Sequence, residues 1–472
     1  MQRIFGYSFT LLFIPFLSSA EAGFTIVPQE TWSPNRMSSC GDIGNDALSI
    51  YANPASMGLA TQHQIAGNFS LLFYRSKFAG TASISRFEAE DDDGSASDDE
   101  GIIFYANELT SSAKSRRNQF IPTIGLISNA HKDLKVGLII HSPFGGRTTF
   151  GQGSVLTGHI IRTKLKTVNI TPSMSYSPFD MLSVGVGLQL QHFELSHSRR
   201  FMISEGFTID PDLADEFFLP TTIVHSSAKN WTVGWTAGLL AKLSSRWNVG
   251  FSYQSKMAGK AKAYTNLILS NEFIANGYST FMTQSTVYFP SKVNLNTSVV
   301  ADDTWIFFVD VSWTNWNKKK GISIISVDDN VNYNDNFNLD WHHTFAAGLG
   351  ASIKLNELFS FRLGYRYSQG LTRKSNASVY FPSTRSDLYS IGATYHTTPN
   401  LDWTLGYGYT YNKRGNVNYS KGSTPVLPQL ILDEDAVRRA INGIPTQFLK
   451  GDLQGKVKYH THAVSIQFNY RF

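Results

Sequence analysis

The chain has 472 residues, a formal net charge of +5 and 16% charged residues, below the roughly 25% of ordinary soluble domains. The basic residues form no concentrated stripe, which argues against nucleic-acid binding, and the single cysteine, Cys40, excludes an internal disulfide. Aromatic residues make up 13% of the chain. Low charge combined with many aromatics suits a chain in which alternate residues face lipid.

The first 22 residues have the pattern of a secretory signal peptide. Arg3 supplies a basic start, residues 4–17 form an apolar stretch, and Ala20-Glu21-Ala22 is a small-x-small cleavage site. The mature chain is then expected to begin at Gly23. No later run of about 18 apolar residues occurs, so no membrane-spanning helix is predicted.

Residues 23–63 do not alternate like strands and are rich in turn residues, among them Pro28, Pro34 and Pro54. We interpret this stretch as an N-terminal hatch that plugs the lumen of a wide β-barrel. A loose periplasmic tail is the alternative.

Beyond residue 63, apolar and polar residues alternate with a period of two, which predicts β-strands. The last segment, 464–472, alternates in this way up to the terminal Phe472. Fourteen strands are predicted, at residues 64–76, 119–129, 134–143, 163–177, 181–196, 231–244, 246–264, 290–301, 303–316, 344–354, 358–368, 386–397, 400–413 and 457–472.

The gaps between these strands are alternately long, such as 77–118 and 197–230, and short, such as 130–133 and 178–180. Long outer loops and short periplasmic turns produce this rhythm in bacterial outer-membrane barrels. The predicted fold class is therefore an all-β, transmembrane, 14-stranded antiparallel barrel over residues 64–472. We expect it in the cell outer membrane, with both ends of the barrel in the periplasm.

Apolar residues cluster in two long outer loops. The loop 197–230 contains Phe217 and Phe218, and the loop 265–289 contains Leu267 and Phe273. Exposed apolar clusters usually mark binding surfaces, so we expect these side chains to capture a hydrophobic solute. Packing of the two loops on each other, as a roof over the barrel, is an equal alternative and is compatible with capture.

Inside the barrel, the strand parity predicts that Phe308, Arg362 and Arg366 point into the lumen. An apolar patch at Phe308 suits a hydrophobic ligand, although contact with the hatch is the alternative. The arginines are candidates for gripping a ligand carboxylate. Their alternative partners are the hatch acids Asp42 and Asp46.

The run Pro143-Phe144-Gly145-Gly146 follows the third predicted strand. Proline cannot donate to a ladder and glycine weakens a strand, so pairing with the neighbouring strand should break here. Unpaired backbone in a membrane wall is tolerated where it lines a cavity, so a gap in the wall is one interpretation. An ordinary turn at the outer rim is the other.

Short strings along the mature chain resemble the FadL/TodX (OmpP1) family of outer-membrane transporters for long-chain fatty acids and aromatic hydrocarbons. The strings are Gly23-Phe24, Asn53-Pro54-Ala55, Ser142-Pro143-Phe144-Gly145, Asn169-Ile170-Thr171-Pro172, Tyr253-Gln254-Ser255-Lys256, Asp310 with Trp313-Thr314-Asn315-Trp316, and Arg362-Leu363-Gly364-Tyr365. The resemblance implies passive uptake of hydrophobic molecules, a hatch that contains Asn53, Pro54 and Ala55, and a third-strand kink that opens a sideways exit.

The resemblance also adds Phe24 to the substrate-binding candidates, and it implies that the terminal aromatics Phe468, Tyr470 and Phe472 are read by the barrel-assembly machinery. The chain departs from the family in two places. Residues 32–40 replace a glycine-rich hatch stretch. Near the top of strand five, where fatty-acid carriers are expected to hold the carboxylate with basic residues, the predicted register places Glu194.

The acidic run 88–100 in the first outer loop is interpreted as a solvated loop, with a calcium site shared with lipopolysaccharide as the alternative. The pairs His342-His343 and His460 with His462 lack a convincing set of further ligands. We therefore assign no metal and no cofactor.

The predicted function is a channel for passive uptake of hydrophobic small molecules. An enzyme is not expected, because no nucleophile, base and orienting group occur together. A general porin and a surface adhesin or receptor are the alternatives. Expected partners are hydrophobic small molecules, outer-membrane lipid and lipopolysaccharide, and the assembly machinery, with no nucleic acid and a monomeric state.

Overall fold

The structure is a computed structural model. It describes residues 46–86, 111–150, 154, 156, 159–202, 221–268, 280–316, 322–327, 334–337, 341–372, 377–380, 382–418 and 449–472. Within these ranges no helix is both long and apolar enough to span a bilayer. Most of the described residues lie in strands.

Twenty strand segments belong to one sheet. They are β1 (Gln64–Arg86), β2 (Ser111–Asn129), β3 (Leu134–His141), β4 (Gly145–Thr149), β5 (Arg162–Phe179), β6 (Leu182–Met202), β7 (Thr221–Ser244), β8 (Trp247–Gln254), β9 (Met257–Ile268), β10 (Thr280–Phe289), β11 (Ser291–Val300), β12 (Trp305–Asn315), β13 (Ile322–Ser326), β14 (Asn334–Phe337), β15 (Thr344–Lys354), β16 (Phe359–Ser368), β17 (Ser386–Thr398), β18 (Leu401–Asn412), β19 (Gly415–Asn418) and β20 (Leu449–Arg471).

The segments form a closed antiparallel barrel of fourteen strands, which confirms the predicted fold class. Four barrel strands are interrupted and consist of β3 with β4, β8 with β9, β10 with β11 and β18 with β19. The hairpin β13–β14 extends one wall, because β13 pairs with β10. Pairing of β1 with β20, from Gln64↔Arg471 to Arg86↔Leu449, closes the barrel.

The two rims of the barrel differ in their connections. β1 begins and β20 ends at one rim, where short turns such as residues 180–181 and 399–400 also lie. Short turns mark the periplasmic rim of such barrels, and long connections mark the outer rim. This assigns a periplasmic end and an outer end to every strand.

The faces differ in exposure as the alternation predicts. On β20, Ile466 is 44% exposed, whereas Ser465 and Gln467 are each 1% exposed. Outward rings meet across strands near the periplasmic rim, where the ring centroids of Trp403 and Phe468 lie 5.8 Å apart. An apolar outer surface with interfacial aromatics is the surface that faces hydrocarbon in such barrels.

The predicted outer ends of several strands are wrong, because the ladders run farther outward. The strand predicted at 64–76 extends to Arg86, and the one predicted at 231–244 begins at Thr221. Leu267, predicted in a loop, lies in β9 and pairs with Val224. Backbone hydrogen bonds continue above the lipid, where polar side chains occur on both faces and hide the alternation.

Three of the four interruptions lie within or at the end of a predicted strand. The strand predicted at 134–143 stops at His141 and resumes as β4, so the predicted loop 144–162 contains a short strand. A second break separates β8 from β9. There Ser255 N donates to Trp235 O, and Trp235 N donates to Ser255 Oγ, each at 2.9 Å. The third lies at Pro290, which has no N–H to donate.

Candidate functional site

The N-terminal segment, residues 46–63 of the described chain, lies against the inner wall. It contains two short 3-10 helices, Ala47–Tyr51 and Pro54–Leu59. Asn53 caps the second helix, because its Oδ1 accepts a hydrogen bond from Ala55 N at 3.0 Å. Pro54 follows at the first helical position, which needs no N–H donor. The string Asn53-Pro54-Ala55 is thus a helix start.

Polar side chains join this segment to three strands, β7, β8 and β20. Asn53 Nδ2 donates to Leu239 O at 2.9 Å, Ser252 Oγ to Ala52 O at 2.5 Å, Gln254 Nε2 to Tyr51 O at 2.8 Å, and Gln467 Nε2 to Asp46 Oδ2 at 2.8 Å. The close approach of this segment also requires glycine on the wall, because a side chain there would clash. A Cβ added at Gly185 would lie 2.3 Å from Ala55 N. The lower lumen is therefore shaped and hydrogen-bonded to hold this segment.

The outer half of the lumen has a different character. A buried apolar cluster there joins inward residues of β6 and β10, which include Phe193, Leu195 and Phe289, to residues of the outer connections, which include Leu156 and Ile160. All five are at most 3% exposed. Above the polar lower lumen, the barrel therefore encloses a hydrocarbon-like interior.

The wall between β2 and the β3/β4 strand is only partly paired. β2 pairs with β3 from Ile124↔Ile140 to Asn129↔Lys135, and among the described ladders none joins β2 to β4. Pro122, which cannot donate a hydrogen bond, lies on β2 two residues beyond the last pair. Farther out, Thr149 N donates to Ser115 Oγ at 3.3 Å. A gap in the ladder thus lies between two points of contact.

On the side away from β2, both parts of the interrupted strand remain hydrogen-bonded to the wall. β3 and β4 both pair with β5, which is continuous. The hydroxyl of Thr167 accepts from Phe144 N at 3.0 Å and donates to Phe144 O, so it replaces missing ladder bonds. The ring of Phe144 packs 5.1 Å from that of Phe289 and 6.4 Å from that of Trp316. The chain is therefore bent toward the lumen at Phe144.

A cavity lies in the lumen beside the bend, with an empty volume of about 790 Å³ that includes space open to solvent. Its lining joins both parts of the lumen, since Tyr51 comes from the N-terminal segment, Phe144 from the bend, and Trp316 and Leu371 from the apolar cluster. Arg366 supplies a polar part of the lining. The cavity is thus amphipathic.

Arg366 is held by an ion pair across the wall. Its guanidinium donates to Asp310 Oδ2 and, at 3.0 Å, to Ser312 Oγ, and both charged side chains are at most 5% exposed. Removing one partner of a buried pair typically costs about 3–5 kcal/mol. The hatch acid Asp46, predicted as an alternative partner for the arginines, accepts from Gln467, and Asp42 lies outside the described residues.

The remaining lumen candidates are not brought into this cavity. Phe308 is 5% exposed on the inner side of β12, between the outward Phe307 and Val309. Arg362 lies on β16 between Ser352 and Gly392 in the ladders. Neither lines the cavity.

Several predicted features lie outside the described residues. They are the signal peptide 1–22, Phe24, the stretch 32–40, the acidic run 88–100, Phe217, Phe218 and Phe273. Within the described ranges, no group of three or more His, Cys, Asp or Glu residues has the spacing of a metal site.

Glu194 belongs to the fifth barrel strand, β6, as the predicted register has it, but its side chain does not face the lumen. Glu194 lies on the outward face of β6, where its carboxylate is 3.1 Å from Lys164 Nζ. The inward positions farther up the same strand are His197 and Arg199, which are 2% and 1% exposed. His197 Nδ1 lies 2.8 Å from Thr163 Oγ1. These two basic residues were missed because the predicted strand ends at residue 196; continued alternation would have found them.

The fold and this lumen define a class of protein, an outer-membrane β-barrel whose interior is occupied by its own chain beside an interrupted wall strand. The chain belongs to the family of outer membrane transport proteins OMPP1/FadL/TodX, whose family-wide sequence pattern matches residues 18–472. This confirms the family suggested by the sequence strings and places the protein in the outer membrane.

Individual relatives are distant in sequence. Outer membrane protein P1 of Haemophilus influenzae is 22% identical over 314 residues, which cover 62% of this chain and 66% of the relative. The long-chain fatty acid transport protein of Salmonella typhi is 21% identical over 316 residues, covering 63% of this chain and 71% of that protein. The chain thus spans slightly less than two thirds of the Haemophilus protein.

Solved structures share the fold over nearly the whole chain. A Pseudomonas aeruginosa FadL homologue has a TM-score of 0.75 and 19% identity, covering 96% of this chain and all of its own. The toluene transporter TodX of P. putida has a TM-score of 0.58 and 14% identity, covering 96% of this chain and 99% of its own.

The packing of the N-terminal segment on Gly185 gives a testable expectation. In Gly185→Ala, the added Cβ meets the backbone of Ala55, which cannot rotate away, so the segment is displaced from the wall. We expect a several-fold rise in ion conductance in planar bilayers. Gly187→Ala, two residues along the same face, meets only wall side chains and is the control. Equal conductance of the two variants would contradict this packing role.

Proposed function

We propose that the protein is a channel for passive uptake of hydrophobic small molecules across the outer membrane. The substrate classes are long-chain fatty acids or aromatic hydrocarbons, the cargoes that the names of its relatives indicate. The observation that carries the proposal is the bend at Phe144, which places an unpaired stretch of wall directly beside an amphipathic cavity.

Uptake begins at the outer loops and at the outer end of β9 in this proposal. Phe217, Phe218, Leu267 and Phe273 supply apolar side chains that take a solute from the lipopolysaccharide surface. The solute then enters the apolar outer half of the lumen, which includes Phe193 and is sealed from water by packed side chains. A hydrophobic solute gains roughly 25 cal/mol for every Å² of apolar surface that it removes from water. An ion or sugar gains nothing there.

A carboxylate would need a cationic partner in the same lumen. Arg199 is the strongest candidate, since it lies on the inner face of β6 at the outer end of the apolar cluster. Arg366 lines the cavity below, where it is ion-paired to Asp310. We assign Arg362 and Phe308 secondary contacts on the inner wall.

Release is proposed to be sideways, through the gap between β2 and the β3/β4 strand. The N-terminal segment, as part of a hatch at residues 23–63, closes the lumen toward the periplasm and leaves the gap as the apolar route. Phe120, on the outward face of β2 level with the bend, is 37% exposed and faces the bilayer. A solute that leaves here enters hydrocarbon without crossing water.

Restoring the strand tests this route. In Pro143→Val combined with Gly145→Val, both positions regain strand propensity and the proline position regains a donor, so pairing with β2 is favoured. We expect uptake of labelled oleate and toluene to fall several-fold in a deletion strain that expresses the variant, while glucose uptake is unchanged.

Pro172→Val is the matched control, because Pro172 lies on neighbouring β5, faces outward and pairs with Leu138 within a continuous ladder. Outer-membrane levels of both variants are measured by heat modifiability. Normal uptake by a well-expressed Pro143→Val and Gly145→Val variant would rule out the sideways route.

The carboxylate role of Arg199 is tested by comparing two substrates. In Arg199→Gln, oleate uptake is expected to fall several-fold with toluene uptake unchanged, because only the fatty acid carries a charge. Arg199→Lys retains the charge and should restore part of the oleate uptake. A parallel loss of both substrates would assign Arg199 a purely structural role.

A further inference from the structure

The outward face of the β20–β1–β2 seam changes from apolar to basic as the strands leave the membrane. Phe69, Leu71 and Val464 are between 39% and 44% exposed on its lower part. Above them the outward side chains are Arg75 and Lys77 on β1, Lys114 and Arg116 on β2, and Lys456, Lys458 and His460 on β20. We call these seven residues the basic seam.

The ladder register stacks like charges directly against one another. Lys77 pairs with Lys114 on one side and with Lys458 on the other. One row below, Arg75 pairs with Arg116, again a pair of like charges, and on its other side with the imidazole of His460. Directly paired residues of antiparallel strands lie about 4.5–5.5 Å apart at Cβ on the same face, and like charges in such pairs destabilise the sheet. The arrangement therefore needs an external anion to be favourable.

Among the described side chains, none of the ion pairs includes a residue of the seam. Residues 69–80, 111–122 and 455–466, which carry it, contain no Asp or Glu. The guanidinium of Arg75 donates to neutral acceptors, Tyr74 O at 2.9 Å and Asn118 Oδ1 at 3.3 Å. Two outward cations elsewhere are ion-paired, Lys164 with Glu194 and Arg385 with Asp387. The seam differs from these pairs because its cations face one another across the ladders.

This surface combines cationic side chains with an apolar band directly below them. Lysine and arginine bind phosphate through charge-assisted hydrogen bonds, and the exposed side chains directly below them suit acyl chains. An outer-membrane barrel holds such a surface against the outer leaflet, where phosphate groups lie above hydrocarbon. A free phosphate would use the cations but not the apolar band.

We propose that the basic seam of β20, β1 and β2 is a binding site for the phosphate groups of lipopolysaccharide, whose acyl chains lie on the apolar residues beneath. The site is separate from the lumen, so it does not depend on the proposed transport function. Because these cations are exposed, salt screens their contacts with phosphate, so binding should fall with rising salt.

The test uses the purified full-length protein in detergent and labelled bisphosphorylated lipid A. In the triple variant Lys77→Gln, Lys114→Gln, Lys458→Gln, three exposed charge contacts are lost, so affinity should fall by about tenfold or more. The matched control is Lys229→Gln, Lys260→Gln, Lys262→Gln, which removes the same charge from exposed outward positions on β7 and β9. It should bind like the original protein.

Two further probes identify the ligand. Lipid A stripped of its phosphates should bind at least about tenfold more weakly, and inorganic phosphate at equal concentration should not displace lipid A. Equal binding of the two triple variants, or undiminished binding of the stripped lipid, would overturn the proposal. Complete displacement by equimolar phosphate would make this a free-phosphate site and would overturn it too.

The chain itself offers a competing anion, the acidic run 88–100 that lies between β1 and β2 in sequence. Its structure lies outside the described residues. In Asp91→Asn, Asp92→Asn, Asp93→Asn, lipid A affinity should change little. If lipid A binds only after this substitution, the seam is occupied by the chain's own acids and the proposal fails.

Discussion

The structure depends on one constraint: in hydrocarbon, every backbone N–H and C=O must find a partner within the protein. The barrel meets it by closing β1 on β20 over the full length of both strands, from Gln64 to Arg86. The stretch around Phe144 departs from regular pairing, and there the hydroxyl of Thr167 takes over hydrogen bonds of the main chain. An interruption secured in this way can persist without unfolding the wall.

The same constraint separates the lumen into two parts. Its lower half is lined by Ser, Asn and Gln side chains that bond to the polar main chain of the N-terminal segment, as Gln254 does to Tyr51. In its outer half, the described residues include apolar side chains that pack together, such as Phe193 and Leu156. A hydrophobic solute therefore meets an apolar interior first and a polar barrier second. The bend at Phe144 lies where the two meet.

Much of the fold could be predicted because lipid on one face and protein on the other impose a period of two. All fourteen barrel strands follow from that pattern. The interruption between β3 and β4 follows instead from Pro143 and Gly145, because proline lacks a donor and glycine weakens a strand. The outer ends could not be placed, because above the membrane both faces are polar while the ladder continues. This is why Leu267 was expected in a loop and why Arg199 was missed.

Long-range contacts also limited how much of the candidate site could be predicted from the sequence. Arg366 was expected to face the lumen, but its ion pair with Asp310 joins residues that are 56 positions apart and depends on which strands are neighbours. The contacts of Asn53 with β7 likewise span 186 positions. Alternation assigns each side chain to a face; it does not identify the side chain's partner on that face.

The most direct test places a nitroxide, one position at a time, along residues 463–468 of a variant in which Cys40 is replaced by Ala, reconstituted in liposomes. Collision with oxygen, which dissolves in hydrocarbon, should be high at Val464, Ile466 and Phe468 and low at Ala463, Ser465 and Gln467. Uniform collision rates, or a repeat near 3.6 residues, would contradict a wall with lipid on one side and a filled interior on the other.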